Sequence, residues 1–168
     1  CGEYLLDSLD GGDNISPDDK FKIACVLNER RLKDLPGIAI DETTDLGKKV
    51  LGLPRVSLKD LLSDFPENAS DYFNRAVLNM DRLASSPFEI VNIYPSVDRM
   101  KFFCADTPQT ITFLKELKNQ NLITYIGGGD FFGISFSTKF WQLVETIKQA
   151  GVDSKSAFVA MWFDPSMD

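Results

Sequence analysis

Carboxylates are the side chains best placed for chemistry in this chain. Asp18 and Asp19 are adjacent, as are Asp41 and Glu42. Paired carboxylates can act as general acid and base when their environments push their proton affinities apart. Asp18 and Asp19, however, follow Ser16 and Pro17, which is the pattern of a helix start, where acidic side chains face the positive end of the helix dipole. Asp41 and Glu42 fall in a polar stretch and read as solvated charge. The loop DSLDGGDN (7–14) has the acids and glycines of a calcium loop, but it lacks the alternating carboxylates and the distal glutamate that an EF-hand needs. GGGD (127–130) would cradle a phosphate if it opened a helix; it runs instead into FFGISF, so it reads as a hairpin tip. Cys1, in CGEY, has the setting of the second half of a Cys-x-x-Cys zinc knuckle, and one thiol alone cannot hold a metal. The chain has no histidine, which removes the commonest general base, the Ser-His-Asp and Cys-His arrangements and every imidazole-ligated zinc site. No catalytic residue, metal ligand set or cofactor is therefore expected.

Composition narrows the class further. The 168 residues are 43% hydrophobic and 26% charged, with 13 phenylalanines, which is the make-up of an ordered globular chain. No apolar run approaches the roughly 18–20 residues that span a bilayer, and no basic-then-apolar leader opens the sequence, so a cytoplasmic protein without membrane contact is expected. The odd cysteine count fits reduced thiols, with Cys25 and Cys104 read as buried small hydrophobes. The net charge of −7 repels nucleic acid at long range. Most of the acidity lies towards the ends: residues 1–71 hold 9 basic and 15 acidic side chains, residues 107–150 hold 4 and 3, and residues 151–168 hold 1 and 3.

These features need elements to position them, and the periodicities specify an α+β chain. A short strand is expected in 1–7, then a helix capped by Ser16 with Ile23, Val26 and Leu27 inward, then an irregular connection over 37–54 with one strand at 38–40. Ser57 opens a short helix that Pro66 ends. Ala69, Tyr72, Phe73, Ala76, Val77, Met80, Leu83 and Ala84 recur at steps of three and four, the stripe of a core helix over 68–84. FEIVNIY (88–94) and MKFFCA (100–105) read as a β-hairpin. Thr107 is expected to cap a helix, with Pro108 in its first turn, that closes at Asn119 or Asn121. LITYI (122–126) and FFGISF (131–136) form a second hairpin, and Ser137 caps a last helix that Gly151 terminates. SAFVAMWF (156–163) reads as a buried strand.

The stretch FLKELKNQNLITYIGGGDFFGISFSTKFWQLVETI (113–147), in which a helix ends in a leucine-rich turn and feeds a glycine-tipped hairpin, resembles a winged-helix module. The departure is the 88–105 hairpin, which stands where the family has a second helix. SAFVAMWFDPSMD (156–168) resembles the opening strand and loop of nucleoside 2-deoxyribosyltransferase-like domains of uncharacterised bacterial proteins, in which a CGEY-type segment and a winged-helix-like region come first. The resemblance implies residues 1–66 as a strand and helices with a remnant of a zinc knuckle, 67–151 as a winged-helix-like module, and 152–168 as a linker and the first strand of a truncated domain. It also implies a fragment, since the chain starts without Met, and none of that domain's catalytic residues can be carried over.

The expected function is a non-catalytic regulatory or interaction module of a larger, nucleotide-processing bacterial protein. Its partners would be the downstream domain of its own chain, another protein or a second copy. The alternative is a nucleic-acid-binding winged helix that points Thr110, Lys115, Lys118 and Asn119 into a groove and lays Gly128 and Gly129 along a backbone. Charge disfavours this alternative, because the helix at 107–119 offers only Lys115 and Lys118, beside Glu116. It requires the four helix side chains to share one exposed face.

Overall fold

The computed structural model describes residues 4–6, 15–41 and 52–162, with side chains over 15–40 and 52–151. Cys1, the whole 7–14 loop, Glu42 and residues 163–168 lie outside them. Ser16 starts α1 (Pro17–Leu32) by accepting the Asp19 N–H at 3.0 Å, which satisfies one of the orphan donors of the first turn. Val26 and Leu27 are buried with Cys25, and Ile23 packs on them. Helix α1 connects two parallel strands, β1 (Tyr4–Leu6) and β2 (Ile38–Asp41); β3 (Arg55–Ser57) pairs with the far side of β2, opposing Val56 to Ile40. Ser57 caps α2 (Leu58–Ser63) and Asn68 caps α3 (Ala69–Asp81), each side-chain oxygen taking a backbone N–H three residues on at 3.0 Å.

The second half differs from the periodicity reading at one decisive place. Only Val91–Ile93 of the first expected hairpin strand is extended (β4), and the segment 100–105 does not pair with it. Instead the chain turns into α4 (Pro95–Asp98) and a 3-10 turn (Arg99–Phe102). Pro95 sets the helical φ at the first position, and the buried Asp98 carboxylate accepts the Tyr94 N–H at 2.8 Å and pairs with Lys101 at 2.6 Å. From α3, the buried Asn79 amide donates to the Lys101 carbonyl at 2.8 Å, so a tertiary hydrogen bond supplies what a strand partner would have supplied. Phe102, Phe103 and Cys104 are buried as a turn rather than a strand, and Phe103 leaves it in the left-handed region at φ 56°.

Helix α5 (Thr107–Asn119) is capped by Asp106, one residue earlier than expected. Its carboxylate accepts the Gln109 N–H at 2.8 Å and the Gln109 side chain accepts the Ala105 N–H at 2.9 Å, so two N–H groups at the helix start are satisfied. Asn121 closes the helix at φ 58°. Strands β5 (Ile123–Gly128) and β6 (Phe131–Phe136) form the expected hairpin, and β4 joins β6 on its other edge to give an antiparallel sheet of order β4-β6-β5. Val91, Ile93, Ile123, Phe132 and Ile134 of this sheet are buried in the core.

Ser137 caps α6, which buries Phe140 and Val144. Helix α6 runs through Gly151 to Trp162, so neither the helix end at Gly151 nor the strand over 156–163 is present in the described residues. A glycine inside a helix costs only about 1 kcal/mol relative to alanine. A short apolar run satisfies its backbone internally as a helix, whereas a strand needs neighbours, and no described strand pairs with this segment.

A buried ion pair ties α1 to α3. Glu29 of α1, 3% exposed, accepts two hydrogen bonds from Arg75 of α3, Nε to Oε1 at 3.1 Å and Nη2 to Oε2 at 2.6 Å, and Lys33 adds a contact at 3.1 Å. Burial pushes the Glu29 carboxyl up, but the hydrogen bonds and charges of Arg75 and Lys33 outweigh it and hold the acid below its ordinary value of 4.5. A lowered carboxyl pKa contributes stability that is complete above that ordinary value and is lost as the pH falls through the lower folded one. Glu29→Ala leaves Arg75 half-buried without its main partner and is expected to cost about 3–5 kcal/mol in urea unfolding at neutral pH. The gap to the parent chain should narrow as the pH drops below about 4.

Candidate functional site

Helix α5 presents Lys115, Lys118 and Asn119 to solvent, with the two lysines three positions apart and so neighbours on one side. Thr110 is a correction: it is 0% exposed, and its hydroxyl donates back to the Asp106 carbonyl at 3.1 Å. It lies on the core face of the helix beside Leu114 and Leu117, which are also fully buried. Lys118 holds its ammonium 4.4 Å from the centre of the Tyr125 ring, a cation–π contact that partly commits it to β5. Gly128 and Gly129 are exposed at the end of the hairpin. Gly129 takes φ +70° at the first position of the two-residue turn, and at Gly127, φ +90°, a Cβ would stand 2.6 Å from the Phe131 carbonyl oxygen. The glycines thus have a steric reason for being there.

Neither described thiol is poised for chemistry. Cys25 and Cys104 are buried; burial, with Cys104 nearby, pushes the Cys25 thiol up to about 12, and burial also raises Cys104. Among the described residues no group of three or more Cys, Asp or Glu side chains comes together to hold a metal ion, and no helix is long and apolar enough to cross a membrane. A groove of about 560 Å³ opens between α3, the 3-10 turn and α5, lined by Tyr72, Phe73, Phe103 and Phe113 with Gln109 at its edge. Its walls are mostly apolar, with the Glu67 carboxylate and the Asn68 amide also on its lining.

The feature that stands out electrostatically is the outer face of the β4-β6-β5 sheet. The register places Asn92, Gly133 and Ile126 in one row and Phe131 with Gly128 in the next, pointing away from the core. Ile90 and Ile126 lean over Gly133, where an added Cβ would come within 3.4 Å of both, and Tyr94 packs on Phe131 with ring centroids 5.6 Å apart. Ile126 is 68% exposed; just before and just after these residues in sequence, Phe88 and Val97 are 96% and 74% exposed. None of these side chains is charged. Sequence reasoning passed over them because it used each strand to fill the core. The signal was present, since FEIVNIY is apolar at both odd and even positions, whereas a strand with one wet face alternates.

Comparison with protein-family models, with curated proteins and with solved structures gives no match for this chain.

The buried thiols carry an expectation of their own. In a Cys1→Ser variant, Ellman's reagent should find no reactive thiol in the native protein and two after denaturation; prompt native reaction at either would contradict the packing around Cys25 and Cys104.

Proposed function

We propose that residues 67–151 form a winged-helix-like interaction module, the non-catalytic, regulatory part of a larger, nucleotide-processing bacterial protein. Support for the winged-helix arrangement comes from the element order helix, strand, helical turn, helix, strand, strand, helix, and from the sheet order β4-β6-β5. The helical turn at 95–102, where a hairpin was expected, adds support to this reading.

The observation that carries the interaction reading is the uncharged, apolar outer sheet face. Covering such a face removes apolar area from water without desolvating a charge. The nucleic-acid reading draws on the shared exposed side of Lys115, Lys118 and Asn119. Against it, Thr110 is buried, Lys118 is engaged on Tyr125, and α5 and its hairpin together carry two basic and two acidic side chains, so few phosphates could be neutralised. In a low-salt native gel, micromolar protein should leave random duplex DNA unshifted. A shift that weakens steeply with added salt would overturn the interaction reading in favour of nucleic acid.

A further inference from the structure

We infer that the cleft between α1 and α3 is a binding site for the phosphate group of a small organic phosphate ester. The cleft holds about 350 Å³, which is small-ligand size, and its lining sets Arg30, Lys33, Arg75 and Arg82 against the carboxylates of Glu29 and Asp64. Four cations facing two carboxylates is the reverse of the whole chain's balance of −7. Arg75 is committed, since it pairs with Glu29 at 2.6 Å and with Asp71 at 3.5 Å, and Lys33 is partly committed to the same Glu29 oxygen. That leaves Arg30 and Arg82.

Both of these guanidiniums are half-buried, and neither pairs with a carboxylate among the described residues; Asp64 is exposed and within ion-pair distance of none of the four cations. Arg30 donates through Nη2 to the Pro36 carbonyl at 3.4 Å, and Arg82 donates through Nη1 to the Asn79 side-chain oxygen at 3.0 Å. Each keeps further N–H donors with no acceptor among the described residues. Both arginines stand at helix C-termini, where the backbone dipole favours a cation, but a helix end carries only roughly half a negative charge. A full positive charge taken partly out of water therefore calls for an anion. The donors come from two helices, Arg30 and Lys33 from α1 and Arg82 from α3. A carboxylate offers its oxygens in one plane, whereas a phosphate ester spreads them around the phosphorus and carries about two charges at neutral pH. The rest of the wall is apolar, made by Val26, Leu35 and Leu78, and suits the organic part of such an ester.

The full 168-residue chain is titrated at constant ionic strength and followed by the amide resonances of residues 29–35 and 78–82. Phenyl phosphate should move these amides and bind more tightly than inorganic phosphate, which leaves the apolar wall uncovered. Benzoate, with the same ring and a planar carboxylate, should bind about tenfold more weakly than phenyl phosphate. Arg30→Gln and Arg82→Gln leave the Glu29–Arg75 pair in place and should each weaken phenyl phosphate about tenfold, the worth of one charge-assisted hydrogen bond. Lys115→Gln, on α5, should change nothing. Arg30→Gln gives up only the long bond to Pro36 and should keep the thermal midpoint, so the test stands on it even where Arg82→Gln lowers the midpoint. Amides that stay still at about 10 mM phenyl phosphate overturn the site, as does affinity unchanged in Arg30→Gln or benzoate binding equally well. Random duplex DNA that moves the same amides more strongly than the ester overturns it too, because the occupant would then be a polymer backbone. None of these outcomes bears on the outer sheet face.

Discussion

A carboxylate sealed between two helices governs how this chain packs. Glu29 cannot be buried alone, because an unpaired charge in a low-dielectric interior costs several kcal/mol. Its side chain therefore requires Arg75 at one distance and one orientation, with both hydrogen bonds made. That requirement sets α3 against α1. Arg75 in turn lies 5.1 Å from the centre of the Phe103 ring, and Phe103 packs edge-on against Phe65 and Tyr72, so the same guanidinium orders the turn after β4 and the end of α2. The parallel sheet with its crossover helix and the antiparallel sheet with its flanking helices consequently share one continuous core.

The sheet at the other end of the molecule has a different economy of surface. Its inner side is filled by Val91, Ile93, Phe132 and Ile134, and its outer side repeats the apolar character with Ile90, Tyr94, Ile126 and Phe131. An antiparallel sheet can leave one face wet, and most do so with polar side chains there. Here the glycine at 133 removes the side chain that would hold Ile90 and Ile126 apart, and the two close over it. The edge strand β4 and the helical turn after it then add Tyr94 and Val97 to the exposed set. Burial raises the pKa of both described thiols, and the groove between α3, the 3-10 turn and α5 is mostly aromatic, with Glu67 and Gln109 on its polar lining.

Much of this architecture was legible in the residues. Ser16, Ser57, Asn68 and Ser137 mark helix starts because a short polar side chain can take an N–H that the helix cannot satisfy. Asn121 and Gly129 mark chain reversals because few residues tolerate a positive φ. The stripe of α3 and the hairpin around Gly129 follow from side-chain period alone. These are local rules, and they act within a few residues.

What only the tertiary structure decided depends on contacts distant in sequence. Whether 100–104 became a strand or a turn rested on Asn79, more than twenty positions away, reaching its carbonyl. Thr110 was as polar as its neighbours in sequence, and the packing of α5 placed it inside. Nothing next to Glu29 in sequence marks it for burial; Arg75, 46 positions away, supplies the partner that permits it. Most helix starts, the hairpin turn and the apolar stripes follow from residues close in sequence, since propensity and capping are short-range energies; the end of α6 and the 95–105 segment do not. Which stripe meets which, and which apolar face is left over, followed from the burial of charge and area, and those are properties of the assembled chain.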